Sequence, residues 1–85
     1  MKHNKLQPIL GDITVSGKSE IGIQLPPYVK PDMVLVEFCE NGGYASCNPV
    51  SDRLTWDIRV THHHYLLTIR WNVSDARQIK WEIKY

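Results

Sequence analysis

The sequence predicts an all-β domain, and three observations lead to that prediction. First, apolar residues occupy every second position in three runs, at residues 54–60, 67–73 and 79–85, as in strands that have one buried face. Second, no segment of useful length shows helical periodicity. Third, turn-forming residues separate the apolar runs. We therefore expect a small antiparallel β-sandwich of six or seven strands, or alternatively a small β-barrel of the OB type.

The first third of the chain supplies an arm, two strands and a crossing loop. Residues 1–8 are polar and lack a pattern, so we expect a flexible N-terminal arm before one domain over residues 9–85. A first strand should begin at residue 13, and the glycine-containing segment 17–19 should turn the chain into a second strand. Residues 26–32 hold three prolines, which exclude a central strand and indicate a loop.

The middle of the chain predicts a buried strand and a weaker one. Residues 33–39 are apolar on both faces, which is typical of a central or doubly covered strand. Asn41-Gly42 is a strong turn signal, because this pair readily adopts positive φ. Residues 44–50 form a weaker segment that we assign to a sheet edge.

The last three strands should be joined by two hairpins with a defined register. Inward positions are even-numbered in the first run and odd-numbered in the second, so the first loop must have an even length. A two-residue loop would need positive φ at two histidines, so we expect a four-residue loop from His62 to Tyr65. The second hairpin should turn near residues 75–77.

This register places the three tryptophans in one row on the inward face. Trp56 faces Trp71, and Trp71 faces Trp81. We expect the row to fill the core rather than to form an open platform for sugars or bases, because leucine, isoleucine and valine share its face.

The balanced charge of the chain argues against a strongly charged binding partner. The 85 residues include 10 Lys and Arg against 9 Asp and Glu, for a formal net charge of +1. On the outward face we expect Asp57, Arg70 and Glu82 to alternate in sign across neighbouring strands. A mixed surface of this kind predicts neither nucleic-acid nor membrane binding.

No segment has the ~20 apolar residues of a membrane span, and no apolar segment of a secretory signal follows residues 1–5. We therefore expect a cytoplasmic protein, or one made in a host cytoplasm and built into a virion. In that compartment Cys39 and Cys47 are expected to be free thiols rather than a disulfide. A long loop centred on Gly43 would nevertheless bring the two cysteines opposite each other.

The candidate partner-binding residues lie in two loops. Pro27, Tyr28 and Val29 belong to the stiff proline loop, which can make contacts at low entropic cost. Tyr28 could instead cap the end of the domain. His63 and Tyr65 belong to the predicted histidine turn.

His62 and His64 would point the same way in an extended segment and could chelate a metal. Two ligands are too few for a structural site, so we expect no metal and no cofactor. No phosphate loop, zinc-protease motif or pair of carboxylates is visible, which predicts that the chain is not an enzyme.

Five segments resemble a known family: "IGIQLPPYVKP", "MVLVEF", "LTWDI", "LLTIRWNV" and "IKWEI". Their order is similar to that in the H-type lectin-like β-sandwiches of bacteriophage tail and virion proteins. The resemblance implies a six-stranded sandwich that assembles as a trimer or hexamer. Some members of the family bind N-acetylgalactosamine, but no sugar-contacting residue can be placed in this chain.

These observations predict a non-enzymatic structural protein that acts through protein–protein contacts. A small bacteriophage virion component, either a capsid decoration or a part of a tail or fibre, would suit the chain. We expect a homo-oligomer or a chain docked on a larger assembly. The alternative is a lectin-like module that binds a glycan.

Overall fold

A computed structural model describes residues 6–27, 29–39, 47–48, 52–62 and 64–85. These residues form five strands in a single antiparallel sheet and no helix, which confirms the predicted all-β antiparallel class. The strands are β1 (Ile9–Gln24), β2 (Met33–Cys39), β3 (Cys47–Asn48), β4 (Leu54–Thr61) and β5 (His64–Lys84).

The long strand β5 is the centre of the sheet. β1 pairs with it along one side, from Ile9 opposite Ile83 to Gln24 opposite Leu66. β4 and then β2 pair with its other side, and β3 adds to the outer side of β2. The sheet therefore has two halves: β1–β5–β4 and β1–β5–β2–β3.

Two predicted turns lie inside continuous strands, so the described residues form five strands where six or seven were expected. Residues 17–19 belong to β1 and residues 75–77 belong to β5. The register between the two strands shifts between Val15 and Gly17, where three β5 residues, 74–76, lie opposite Ser16 alone. Gly17 has a φ of 71°. Because both turn-prone segments meet across the sheet, they form one shared bulge instead of two hairpins.

The β1–β5 ribbon bends sharply. A straight strand from Tyr65 to Lys84 would measure roughly 63 Å, whereas the longest dimension of the molecule is 49 Å. Leu25 N donates to Tyr65 O at 2.8 Å, and Asp32 N donates to Lys84 O at 2.7 Å. The short connection from Leu25 to Asp32 spans at most roughly 25 Å, so with strand spacings included the ends of β5 lie within roughly 35 Å.

Both halves of the sheet consequently contribute to one core. Odd-numbered residues of β5 supply its centre: Leu67 and Ile69 from one half, and Ile79 and Ile83 from the other, are fully buried. We call this the inner face, and the opposite side the outer face. The remaining large and fully buried side chains are Phe38, Leu25, Val36 and Cys39.

The hairpin between β4 and β5 differs from its predicted register by two residues. Thr61 pairs with His64, so the loop has two residues rather than four. Leu54, and not Trp56, lies opposite Trp71. His62 adopts the positive φ, 46°, that was expected to be unfavourable for histidine. A shift by two residues preserves which side chains point inward.

Cys39 and Cys47 form a disulfide, so the expectation of free thiols is wrong. That expectation followed from the compartment, whereas the pairing follows from geometry. Cys39 lies directly opposite Cys47 in the β2–β3 ladder, which is the arrangement that a loop centred on Gly43 allows. The bridge ties the short strand β3 to β2 beside the fully buried Cys39.

We predict that the bulge depends on the backbone freedom of residue 17. No atom lies within 4 Å of where a Cβ would stand on Gly17, so a substitution is strained by its φ and not by crowding. Gly17→Ala should lower the free energy of unfolding by about 1 kcal/mol, measured by chemical denaturation. Gly17→Asn is the matched control and should lose less, because asparagine tolerates this conformation. Equal stability of Gly17→Ala and wild type would contradict the assignment.

We also predict that reduction of the disulfide destabilises the domain. The bridge closes a loop between residues eight apart in sequence, so its removal should cost about 2–3 kcal/mol in the loop-entropy description. Thermal or denaturant unfolding with and without a reductant measures this difference. The double variant Cys39→Ser/Cys47→Ser should match the reduced protein and should not respond to reductant.

Candidate functional site

β4 presents an unpaired edge. Within the part of the chain that the structure describes, β4 pairs with β5 and with no other strand. We call its free side, along Leu54–Thr61, the β4 edge. A free edge exposes backbone donors and acceptors that can pair with another strand, and natural proteins usually block such an edge with charge, proline or a covering loop.

Exposed apolar side chains follow the β4 edge on the inner face. Leu54 is buried at the start of the strand, and Ile58 packs against the core from the side. Trp56, however, is 39% exposed and Val60 is 64% exposed. An isolated exposed apolar residue needs no explanation, but a tryptophan and a valine on one free strand mark a candidate contact surface.

The structure also shows which backbone N–H and C=O groups point to the free side of β4. Arg53 O accepts a hydrogen bond from Asn72 N at 2.9 Å, so Arg53 turns its backbone groups toward β5. Backbone direction alternates along an antiparallel strand. The N–H and C=O groups of Trp56, Ile58 and Val60 therefore point to the free side.

A charged cluster lies on the outer face of the same half. Arg70 Nη1 donates to Asp57 Oδ2 at 2.9 Å, and Arg70 Nε donates to Glu20 Oε1 at 3.1 Å. The hydrogen bond to Asp57 raises the pKa of Arg70 above its usual range, against the smaller opposing effect of desolvation. Arg59 Nε lies 3.6 Å from Asp57 Oδ1. The cluster links all three strands of this half.

The predicted charge row is partly wrong. Asp57 and Arg70 do meet, although Asp57 lies opposite Thr68, so the contact is diagonal. Glu20 of β1 occupies the place predicted for Glu82, because β1 and not the last strand flanks this part of β5. Glu82 lies in the other half, with its Oε2 3.8 Å from Lys84 Nζ.

The proline loop begins beside the histidine hairpin. The hydrogen bond from Leu25 N to Tyr65 O joins the end of β1 to the start of β5. Pro27 and Val29 are exposed, whereas Tyr65 is half-buried against the core. Tyr28 and His63, which the sequence also proposed for partner binding, lie outside the described residues.

The two candidate metal ligands have different surroundings. His62 is exposed in the turn. His64 begins β5, and its Nδ1 lies 3.2 Å from Gln24 Nε2. Across the described ranges, no three His, Cys, Asp or Glu side chains are grouped so that they could hold a metal ion.

The three tryptophans do not form a row. Trp71 is a core residue, 8% exposed, and its Nε1 donates to Ser16 O at the bulge at 3.3 Å. Trp81 is half-buried and covers Gly11: a Cβ on that glycine would stand less than 3.0 Å from the indole ring. Trp56 lies at the edge and is exposed. The alternation predicted its face, but not that its strand is the last in its half of the sheet.

A groove of about 480 Å³ lies on the other half of the sheet. The charged residues Asp12, Glu37, Lys80 and Glu82 line it, whereas the indole ring of Trp81 covers Gly11 on the inner face. Lys80 Nζ is 3.5 Å from Glu37 Oε1, and Leu10 on the rim is 70% exposed. The lining residues are Leu10, Gly11, Asp12, Glu37, Lys80, Trp81 and Glu82.

Comparisons with protein-family models, curated proteins and solved structures found no match to this chain. Among the described residues, no helix has the length and hydropathy needed to cross a membrane.

We predict that the tryptophans differ in their effect on stability according to burial. Trp71→Ala should lower the free energy of unfolding by about 3–5 kcal/mol, because it removes a core ring. Trp56→Ala should cost about two thirds of that, because more than a third of the residue is exposed. Denaturant unfolding of both variants measures the difference. Equal losses would show that Trp56 belongs to the core.

Proposed function

We propose that this chain is a non-enzymatic assembly protein that binds another protein through the β4 edge. The observation that carries the proposal is the pair of exposed side chains, Trp56 and Val60, on a strand whose outward backbone groups pair with no other described strand. A protein that adds a strand here would satisfy those groups and cover both side chains. Trp56 would be the anchor, since tryptophan is enriched among residues that dominate binding energy.

We further propose that the assembly is a virion, and that the chain decorates a capsid or joins a tail or fibre. The resemblance of its strand segments to phage virion sandwiches supports this setting, as does its small size. The predicted sandwich receives support from the sharp bend of the β1–β5 ribbon, since both halves of the sheet supply one core.

Carbohydrate binding is the second candidate, and the groove favours it. A sugar site needs several hydrogen-bonding groups close together, and the groove is lined by Asp12, Glu37 and Glu82. Purified protein applied to a glycan array distinguishes the two functions. Binding that disappears in Asp12→Ala would support the lectin function, and an array without signal would exclude it for the glycans displayed.

We predict that Trp56→Lys removes the chain from the assembly without unfolding it. In a density gradient of extracts from its source, tagged wild type should sediment with large particles, and Trp56→Lys should remain at the top with free protein. Thr55→Lys is the matched control, because Thr55 is exposed on the outer face of the same strand; it should sediment like wild type.

Circular dichroism should show that both lysine variants are folded. Sedimentation of Trp56→Lys with the particles would contradict a role for the β4 edge in assembly, and wild type that remains free would contradict assembly altogether.

A further inference from the structure

We propose that the partner of the β4 edge is a second copy of this chain, paired antiparallel with Ile58 opposite Ile58 on a two-fold axis. This inference rests on the proposed function, since it names the partner at the same edge. A two-fold interface brings the same strand from both copies together, so the strand must be complementary to itself. Residues 54–61 meet that requirement in their charges, in their exposed apolar side chains and in the direction of their backbone hydrogen-bonding groups.

Charge complementarity selects the register. With Ile58 on the axis, Asp57 of each copy lies directly opposite Arg59 of the other, and both side chains are on the outer face. A shift that puts residue 57 on the axis would set Asp57 against Asp57. The opposite shift would set Arg59 against Arg59. Like charges in directly opposing positions destabilise a sheet, so only the first arrangement matches charge.

Apolar complementarity selects the same register. Trp56 of one copy lies opposite Val60 of the other, and the two-fold axis repeats this pair. These are the exposed apolar residues of β4, at 39% and 64%. Each would therefore cover the other, and the two Ile58 side chains between them would extend the core from one copy to the next. Aromatic and β-branched residues form favourable cross-strand pairs.

The backbone groups also match. The N–H and C=O groups of Trp56, Ile58 and Val60 point away from β5, because Arg53 O accepts from Asn72 N on the side that faces β5. In the proposed register Ile58 faces Ile58 and Trp56 faces Val60. Each of these facing residues can exchange two hydrogen bonds with its counterpart, as the narrow pairs of an antiparallel ladder do.

Asp57 retains an unused acceptor. Its Oδ2 accepts from Arg70, whereas its Oδ1 is buried and has no hydrogen-bond partner among the described residues. Arg59 of the same chain lies beside Oδ1, with its Nε at 3.6 Å. In the dimer, Arg59 of the second copy can replace that side chain and donate to Oδ1. The two copies would thus exchange arginines.

The register is tested by cysteine cross-linking of the full chain, in which Cys39 and Cys47 are already paired. Under mild oxidation, Ile58→Cys alone should yield a covalent dimer, because the two positions face each other on the axis. Trp56→Cys alone and Val60→Cys alone should stay monomeric on a non-reducing gel. A mixture of Trp56→Cys and Val60→Cys chains should cross-link. A dimer from Trp56→Cys alone, or none from Ile58→Cys, would overturn the register.

The strength of pairing is tested by light scattering over a concentration series. Wild type should form dimers in the micromolar range, and Val60→Lys should weaken dimerisation at least about ten-fold, because the symmetry places each substitution in the interface twice. Thr55→Lys, on the outer face, should dimerise within about two-fold of wild type. A wild type that stays monomeric at high micromolar concentration would overturn self-pairing.

Failure of self-pairing would differ from failure of the proposed function. A monomeric wild type that still sediments with particles, and loses this in Trp56→Lys, would keep the β4 edge as a binding site for another protein. A chain that dimerises but never enters a particle would keep the dimer and reject the assembly role.

Discussion

The fold depends on one constraint of chain length: the short connection between β1 and β2 must join the two ends of the central strand. β5 is longer than the molecule if it is straight, yet Leu25 is hydrogen-bonded at its start and Asp32 at its end. The ribbon must therefore bend, and its register with β1 shifts beside Gly17 as at a β-bulge, a feature that bends a strand. Buried residues of both halves belong to one core, which removes more apolar surface from water than either half could alone.

On the side of β5 opposite β1, two strands pair with successive segments: β4 with the first half and β2 with the second. β2 gains β3 as an outer neighbour and a disulfide that holds it there. β4 gains no such neighbour within the described residues, although its inner-face residues are as apolar as those of β2. The proposed interaction surface is thus a consequence of the topology, because a strand with the composition of an interior strand is the outermost strand of its half of the sheet. Charges on its outer face, Asp57 and Arg59, then restrict which strand can join it.

Alternation in the sequence was sufficient to predict the all-β class and the inward face of each late strand. It could not distinguish a hairpin from a bulge, because Gly17 and the segment near Asp75 carry the turn chemistry that both require. It placed the β4–β5 register two residues away, since a positive φ was excluded at His62, where the structure has one. Trp56 was assigned to the core because periodicity reports which face a residue occupies and not whether another strand lies beside it. The expectation of free thiols rests on the cellular compartment, whereas the disulfide depends on a strand register that sets Cys39 directly opposite Cys47.

The bulge between Val73 and Arg77 has a consequence for how this sequence can change in length. It absorbs two extra residues of β5 against β1, and two is the period of side chains along a strand. Loss or gain of a pair of residues there would leave Ile79 and Ile83 directed at the core. A single-residue insertion or deletion would instead turn the whole C-terminal half over and expose them to water. Variation in length at this site is therefore restricted to even steps, a rule that homologues and designed variants of the domain should share.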